Sequence, residues 1–140
     1  MGTIETFDHT ADVGLRVEAV TLDDLFRTAA EGMFGYIVVN LDEVRAEDVE
    51  DVSLVADEPA DLLVTWLNEL IFRSETRHRL YVRFDVHVSD DGLSLEAQIA
   101  GEPMDRDRHV LDHEVKSATH HGLTLDRKGE GWVAELILDI

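Results

Sequence analysis

The chain predicts an α+β fold: a single compact domain over residues 1–140, with mainly antiparallel sheets and two main amphipathic helices at about 21–34 and 58–73. Three observations lead there. The 140 residues are 44 % hydrophobic, enough for one buried core. Segments of period two and segments of helical period come in blocks rather than in strict alternation, which favours antiparallel sheets over a doubly wound architecture. Turn residues join several of the strand-like segments closely enough for hairpins. Internal repeats, low-complexity tracts and linkers are absent.

Thr3 to Phe7 reads as a short strand. The polar box His9-Thr10-Ala11-Asp12 then forms a strand-to-strand turn, and Val13 to Val20 alternates apolar with small or polar residues as a half-buried strand does. Thr21 offers a helix N-cap, with Asp23 and Asp24 in the first turn, where carboxylates meet the positive end of the helix dipole. Leu22, Leu25, Phe26, Ala29, Ala30, Met33 and Phe34 follow at helical spacing. From Gly35 to Asp48 the pattern loosens, and Val49 to Val55 reads as a strand near a sheet edge, given Glu50 and Asp51. Asp57-Glu58-Pro59 signals a second helix, an Asp cap followed by a proline whose missing amide proton costs nothing in the first turn. Its apolar face carries Leu62, Leu63, Trp66, Leu67, Leu70 and Ile71. Leu80 to Val88 and Leu93 to Ala100 flank the turn residues Asp90-Asp91-Gly92, Gly101 to Asp112 is a polar connection, and Gly129-Glu130-Gly131 turns a closing hairpin.

Composition excludes several function classes. Cysteine is absent, so disulfides, thiolate metal sites and a cysteine nucleophile are all ruled out. The first residues lack the basic and apolar blocks of a signal peptide, and no apolar run approaches the ~20 residues that span a bilayer, so the expected location is cytoplasmic with no membrane partner. Asp and Glu number 31 against 12 Lys and Arg, a formal net charge of −19. Such a surface repels phosphate backbones, which argues against direct nucleic-acid binding and for a basic protein partner or a cation. A high-salt source would explain the same acidity equally well.

Asp12 and Asp139 lie at opposite ends of the chain, each at a strand boundary, and terminal strands of a compact domain are often neighbours. Ile140 would add main-chain oxygens and, at a true terminus, a carboxylate. That oxygen-only set suits a hard cation such as Ca²⁺ or Mg²⁺ rather than zinc. By composition alone, two ordinary surface aspartates are the default among so many acids. His109 and His113, four apart, and the adjacent His120-His121 make a zinc site conceivable. Without helical periodicity or a His-Glu-x-x-His motif, and with adjacent strand residues facing opposite ways, hydrogen-bonded or solvated histidines are the better reading. Only Lys116 and Lys128 are lysines. In a strand from Glu114 onward, Lys116 shares a face with Glu114, Ala118 and His120, where it pairs with Glu114 or holds a phosphate or an acidic partner group. The phosphate loop, the dinucleotide fingerprint and the nucleophile elbow are all missing, which points to a binding or accessory protein.

Five blocks in order carry a resemblance: His9-Thr10-Ala11-Asp12, the Thr21-Leu22-Asp23-Asp24-Leu25-Phe26 helix, the Leu-rich helix after Pro59, Glu114 to His120, and Ile137-Leu138-Asp139-Ile140. The chain resembles the archease family over essentially its whole length; one departure is Ala19-Val20, where a glycine is expected before the helix cap. The resemblance implies a protein cofactor, not an enzyme, for the RtcB-type RNA ligase of tRNA splicing, which uses GTP and Mn²⁺. It implies promotion of ligase guanylylation and multiple turnover, and a broader choice of nucleotide. It also implies a divalent metal, Ca²⁺ first and Mg²⁺ or Mn²⁺ as alternatives, held by Asp12, Asp139 and Ile140. Lys116 matches a position tied to activation. His9 and His120 join it as partner-contact candidates, His9 chiefly by shaping the turn that presents Asp12. The rival reading is a chaperone or modulator of tRNA-modifying enzymes such as a methyltransferase. A third, a metal-dependent phosphoesterase, lacks a clear general base.

Overall fold

The structure, a computed structural model, describes residues 2–9 and 12–140, the side chains of residues 7–9 excepted. Seven strands and two long helices follow in the order β1 (Gly2–His9), β2 (Asp12–Ala19), α1 (Leu22–Ile37), β3 (Asp48–Val55), α2 (Pro59–Arg77), β4 (Arg79–Val88), β5 (Ser94–Pro103), β6 (Ser117–Lys128) and β7 (Gly131–Asp139). A single 3₁₀ turn, Leu41–Glu43, lies between α1 and β3. The strands form a four-stranded sheet ordered β1-β2-β7-β6 and a three-stranded sheet ordered β3-β5-β4, antiparallel throughout. The expected α+β architecture is what is found, with β3 at a sheet edge.

Both helices touch both sheets, α1 against β2 and β4, α2 against β6 and the smaller sheet, so one core fills the space between the sheets. Strand alternation supplies one wall: Val13, Leu15, Val17 and Ala19 of β2 stand opposite Leu138, Leu136, Ala134 and Trp132 of β7. Helical periodicity supplies the filling. Trp66 is fully buried and donates its indole N–H to the Phe26 carbonyl at 3.0 Å, while Phe34 stacks on Phe84 with ring centroids 5.7 Å apart. Burying each such side chain contributes about 1.5–3 kcal/mol.

Thr21 caps α1 as expected, its hydroxyl accepting from the Asp24 amide at 3.1 Å. Both helices outrun their predicted ends. α1 continues through Gly35 to Ile37, and α2 reaches Arg77 because Ser74 is buried and Arg73 pairs with Glu69 one turn back. α2 is capped not by Asp57 but by Glu58, which makes no side-chain cap bond; Pro59 holds the first turn. It ends on His78 in the left-handed region at φ 53°. The strand expected from Glu114 begins only at Ser117, and β5 extends into the predicted polar connection as far as Pro103. Gly92, at φ 74°, allows the β4–β5 turn, whose Asp91 carboxylate accepts from the Leu93 amide at 3.0 Å.

Candidate functional site

The two acidic ends of the chain meet. Asp12, the first residue of β2, stands directly opposite Asp139, the last of β7, and Asp139 is in turn opposite Ser117 of β6. Val13 and Leu138, one step along, face the core, so the two aspartates share the other face of the sheet. Opposed like charges on a sheet repel, and both residues are half-buried. On the far side of Asp12, His9 pairs through its backbone. Thr10, Ala11 and the His9 side chain lie outside the described residues, and with them the predicted turn. Ile140 is half-buried against the edge of the core. Two carboxylates with main-chain oxygens beside them form a hard-donor set that fits a divalent cation of the Ca²⁺ or Mg²⁺ kind. Among the described residues no three His, Asp or Glu cluster as a metal cage, so a cation here would lean on the main chain for part of its shell.

Lys116 adjoins this end. Its amide donates to the Asp139 carbonyl at 2.8 Å, while its side chain is exposed. Among the described residues it forms no ion pair with Glu114, and the face shared by alternate residues starts only at Ser117. His120 lies where β6 loops out of register: the four residues between Thr119 and Thr124 on β6 stand against the single residue between Ile137 and Glu135 on β7. Bulges of this kind commonly re-aim side chains beside functional sites. The His120 imidazole stays exposed, its Nε2 3.3 Å from an Asp61 carboxylate oxygen in the first turn of α2. The zinc alternative does not assemble: His109 is buried against Glu102, and His113 stacks on Tyr36 with centroids 4.1 Å apart.

Residues 4–140 match the sequence profile of the Archease protein family (MTH1598/TM1083). The chain belongs to the archease family. Protein archease of Methanopyrus kandleri is 35 % identical over 138 residues, covering 97 % of this chain and 98 % of that one. Protein archease of Pyrococcus abyssi is 30 % identical over 139 residues, covering 97 % of each. Among solved structures, protein 1598 of Methanobacterium thermoautotrophicum superposes with a TM-score of 0.79 at 29 % identity, covering 98 % of both chains. An archease of Thermotoga maritima, described as a possible chaperone, superposes at 0.65 with 14 % identity over 97 % of this chain and 96 % of that one, which shows the shared fold.

In this archease-family chain, sequence reading missed the brace that fixes the connection ahead of Lys116. Glu102 is buried, and Arg108, the Arg45 amide at 2.7 Å and His109 Nε2 at 2.9 Å all converge on its carboxylate. Because His109 Nδ1 accepts from the Asp105 amide at 2.9 Å, its Nε2 carries the proton and donates to Glu102. Burial alone would raise the Glu102 pKa, but the bonds from Arg108, Arg45 and His109 outweigh it and hold the group at about 2. A comparable ion cluster ties α2 to the smaller sheet, where Arg73, Arg77 and Arg79 gather around Glu50, and Tyr81 donates to Glu50 at 2.7 Å. Neither cluster leaves a signal in spacing, since their members come from separate elements.

Proposed function

We propose that this protein is an accessory activator of an RtcB-type RNA ligase in tRNA splicing, promoting ligase guanylylation and multiple turnover and widening the nucleotides the ligase accepts. The direct opposition of Asp12 and Asp139, in a chain of the archease family, carries this reading. With the Ile140 main-chain oxygens, these carboxylates would hold a divalent cation, most simply Ca²⁺, and the cation would supply positive charge at an otherwise anionic end. Lys116, exposed beside them, is placed to meet a phosphate or an acidic group of the ligase, with His9 and His120 as further contacts. The net charge of −19 favours encounter with a basic, RNA-binding partner rather than with RNA itself.

Multiple-turnover ligation by the purified ligase tests the reading. Asp12→Ala and Asp139→Ala should each bring stimulation close to the level of the ligase alone; full stimulation by both variants would sink the acidic-end mechanism. The description of the Thermotoga maritima relative as a possible chaperone favours one alternative, a modulator of tRNA-modifying enzymes such as a methyltransferase. That reading expects suppressed aggregation of the client enzyme, little dependence on metal, and indifference to Lys116→Ala.

A further inference from the structure

A groove of about 600 Å³ opens where the last turns of α1 and α2 meet the connection 104–116. Its floor is apolar, made by Ile37, Ile71, Met104, Leu111 and Val115. Ile71 and Val115 are buried, whereas Ile37, Met104 and Leu111 stay partly open to solvent. Three carboxylates, Glu75, Asp112 and Glu114, stand on its rim with the guanidinium of Arg106 and the imidazoles of His78 and His113, the last 3.0 Å from Asp112. Size and lining are those of a binding cleft.

The wall of this groove is preformed. A connection this long without regular structure is, in a small domain, either functional or disordered. Here the backbone is pinned at intervals: Met104 N–H to the His78 carbonyl at 2.8 Å, Val39 N–H to the Val110 carbonyl at 2.8 Å, and Asp112 N–H to the Ile37 carbonyl at 2.9 Å. The Glu102–Arg108–His109 brace fixes the stretch between. His78 keeps a left-handed backbone that glycine would adopt more easily, and its carbonyl is the anchor for Met104. Beyond Val115 the same segment passes directly into Lys116 and its bond to Asp139.

We infer that this groove grips the ligase, taking one apolar side chain flanked by basic residues, and so sets the acidic end at the ligase's nucleotide site; the inference rests on the activator reading above. Charge selects the occupant. A rim of three carboxylates, one arginine and two histidines favours cationic flanks and disfavours nucleic acid. The adaptable floor, with a methionine at its edge, suits a single buried anchor of the kind that dominates binding energy at protein interfaces. Continuity fixes the direction, because a partner held in the groove lies along the segment that ends beside Asp139.

The experiment is a titration of the protein into multiple-turnover ligation, reading the half-saturating concentration and the plateau separately. Leu111→Glu places a charge in the floor, and the paired change Glu75→Lys with Glu114→Lys reverses the exposed rim without touching the core. Each should raise the half-saturating concentration by about tenfold, a loss of ~1.4 kcal/mol, with an unchanged plateau, whereas Asp139→Ala should lower the plateau alone. Thermal melts confirm folding, and if Leu111→Glu unfolds, the rim variant decides. An unchanged half-saturating concentration overturns the groove assignment and leaves the activator reading standing; a wild-type chain that fails to stimulate the ligase removes both. Should sedimentation instead show a wild-type dimer that Leu111→Glu makes monomeric, the occupant is a second copy and the inference is wrong.

Discussion

Replacing Asp139 by asparagine keeps the shape of the side chain and removes one of two carboxylates that oppose each other across β2 and β7. Side chains in such positions stand about 5 Å apart. Two unit charges at roughly that distance repel by about 0.8 kcal/mol at the dielectric of water and about 3 kcal/mol at an effective dielectric near 20. For half-buried groups the repulsion falls between these, at about 1–2 kcal/mol. A domain of this size shifts its melting temperature by about 3–5 °C per kcal/mol. In chelator, Asp139→Asn should therefore melt about 3–10 °C above the wild type. Ca²⁺ should reverse the order. At a free concentration roughly 100 times Kd, binding to the folded state stabilises the wild type by about 2.7 kcal/mol, and the variant, with half its carboxylates gone, should gain far less. Thermal unfolding followed by circular dichroism, in chelator and across a Ca²⁺ titration, reads both effects. Melts of the two proteins that move together under both conditions would refute the reasoning.

Glu102 carries a pH prediction. Its folded pKa of about 2 lies below the ordinary carboxylate value of 4.5, so its contribution is fully present above about pH 4.5 and is lost as pH falls through 2. Wild type should lose stability over that window more steeply than Glu102→Gln in acid melts. With Arg108 partly exposed, the variant's deficit at neutral pH should be about 1–3 kcal/mol; equal acid sensitivity would show that the brace is not charged. Gly101→Ala tests the β4–β5 contact, since an added Cβ would stand 1.9 Å from the Leu80 carbonyl oxygen, where neither backbone has room to give. Denaturant unfolding should show a loss of about 3 kcal/mol or more, and a near-neutral result would mean that β4 can move away.

Most of the architecture was legible because it rests on local periodicity. The alternation from Val13 to Ala19 and the helical spacing from Leu22 to Phe34 each name a buried face without reference to the rest of the chain. Boundaries were less legible. Neither Gly35 nor the polar run Ser74-Glu75-Thr76-Arg77 looks like helix interior, and both are kept helical by tertiary packing and ion pairs. The pairing of strands that bring Asp12 to Asp139 could be guessed from their places near the two termini, but the exact register could not. The groove and the Glu102 brace were invisible, because Ile37, Ile71 and the pair Met104 and Leu111 belong to three separate segments and the 104–116 connection has no period to read.

The strand directions have a practical corollary. Gly2 pairs with Ala19, at the end of the large sheet remote from Asp12, whereas Asp139 and Ile140 finish beside Asp12 itself. Anything fused after Ile140 would emerge among the proposed cation ligands, while a purification tag ahead of Gly2 would leave the molecule at the opposite pole. A tag joined directly to Ile140 should thus act like a loss-of-function substitution while leaving every residue of the domain unchanged.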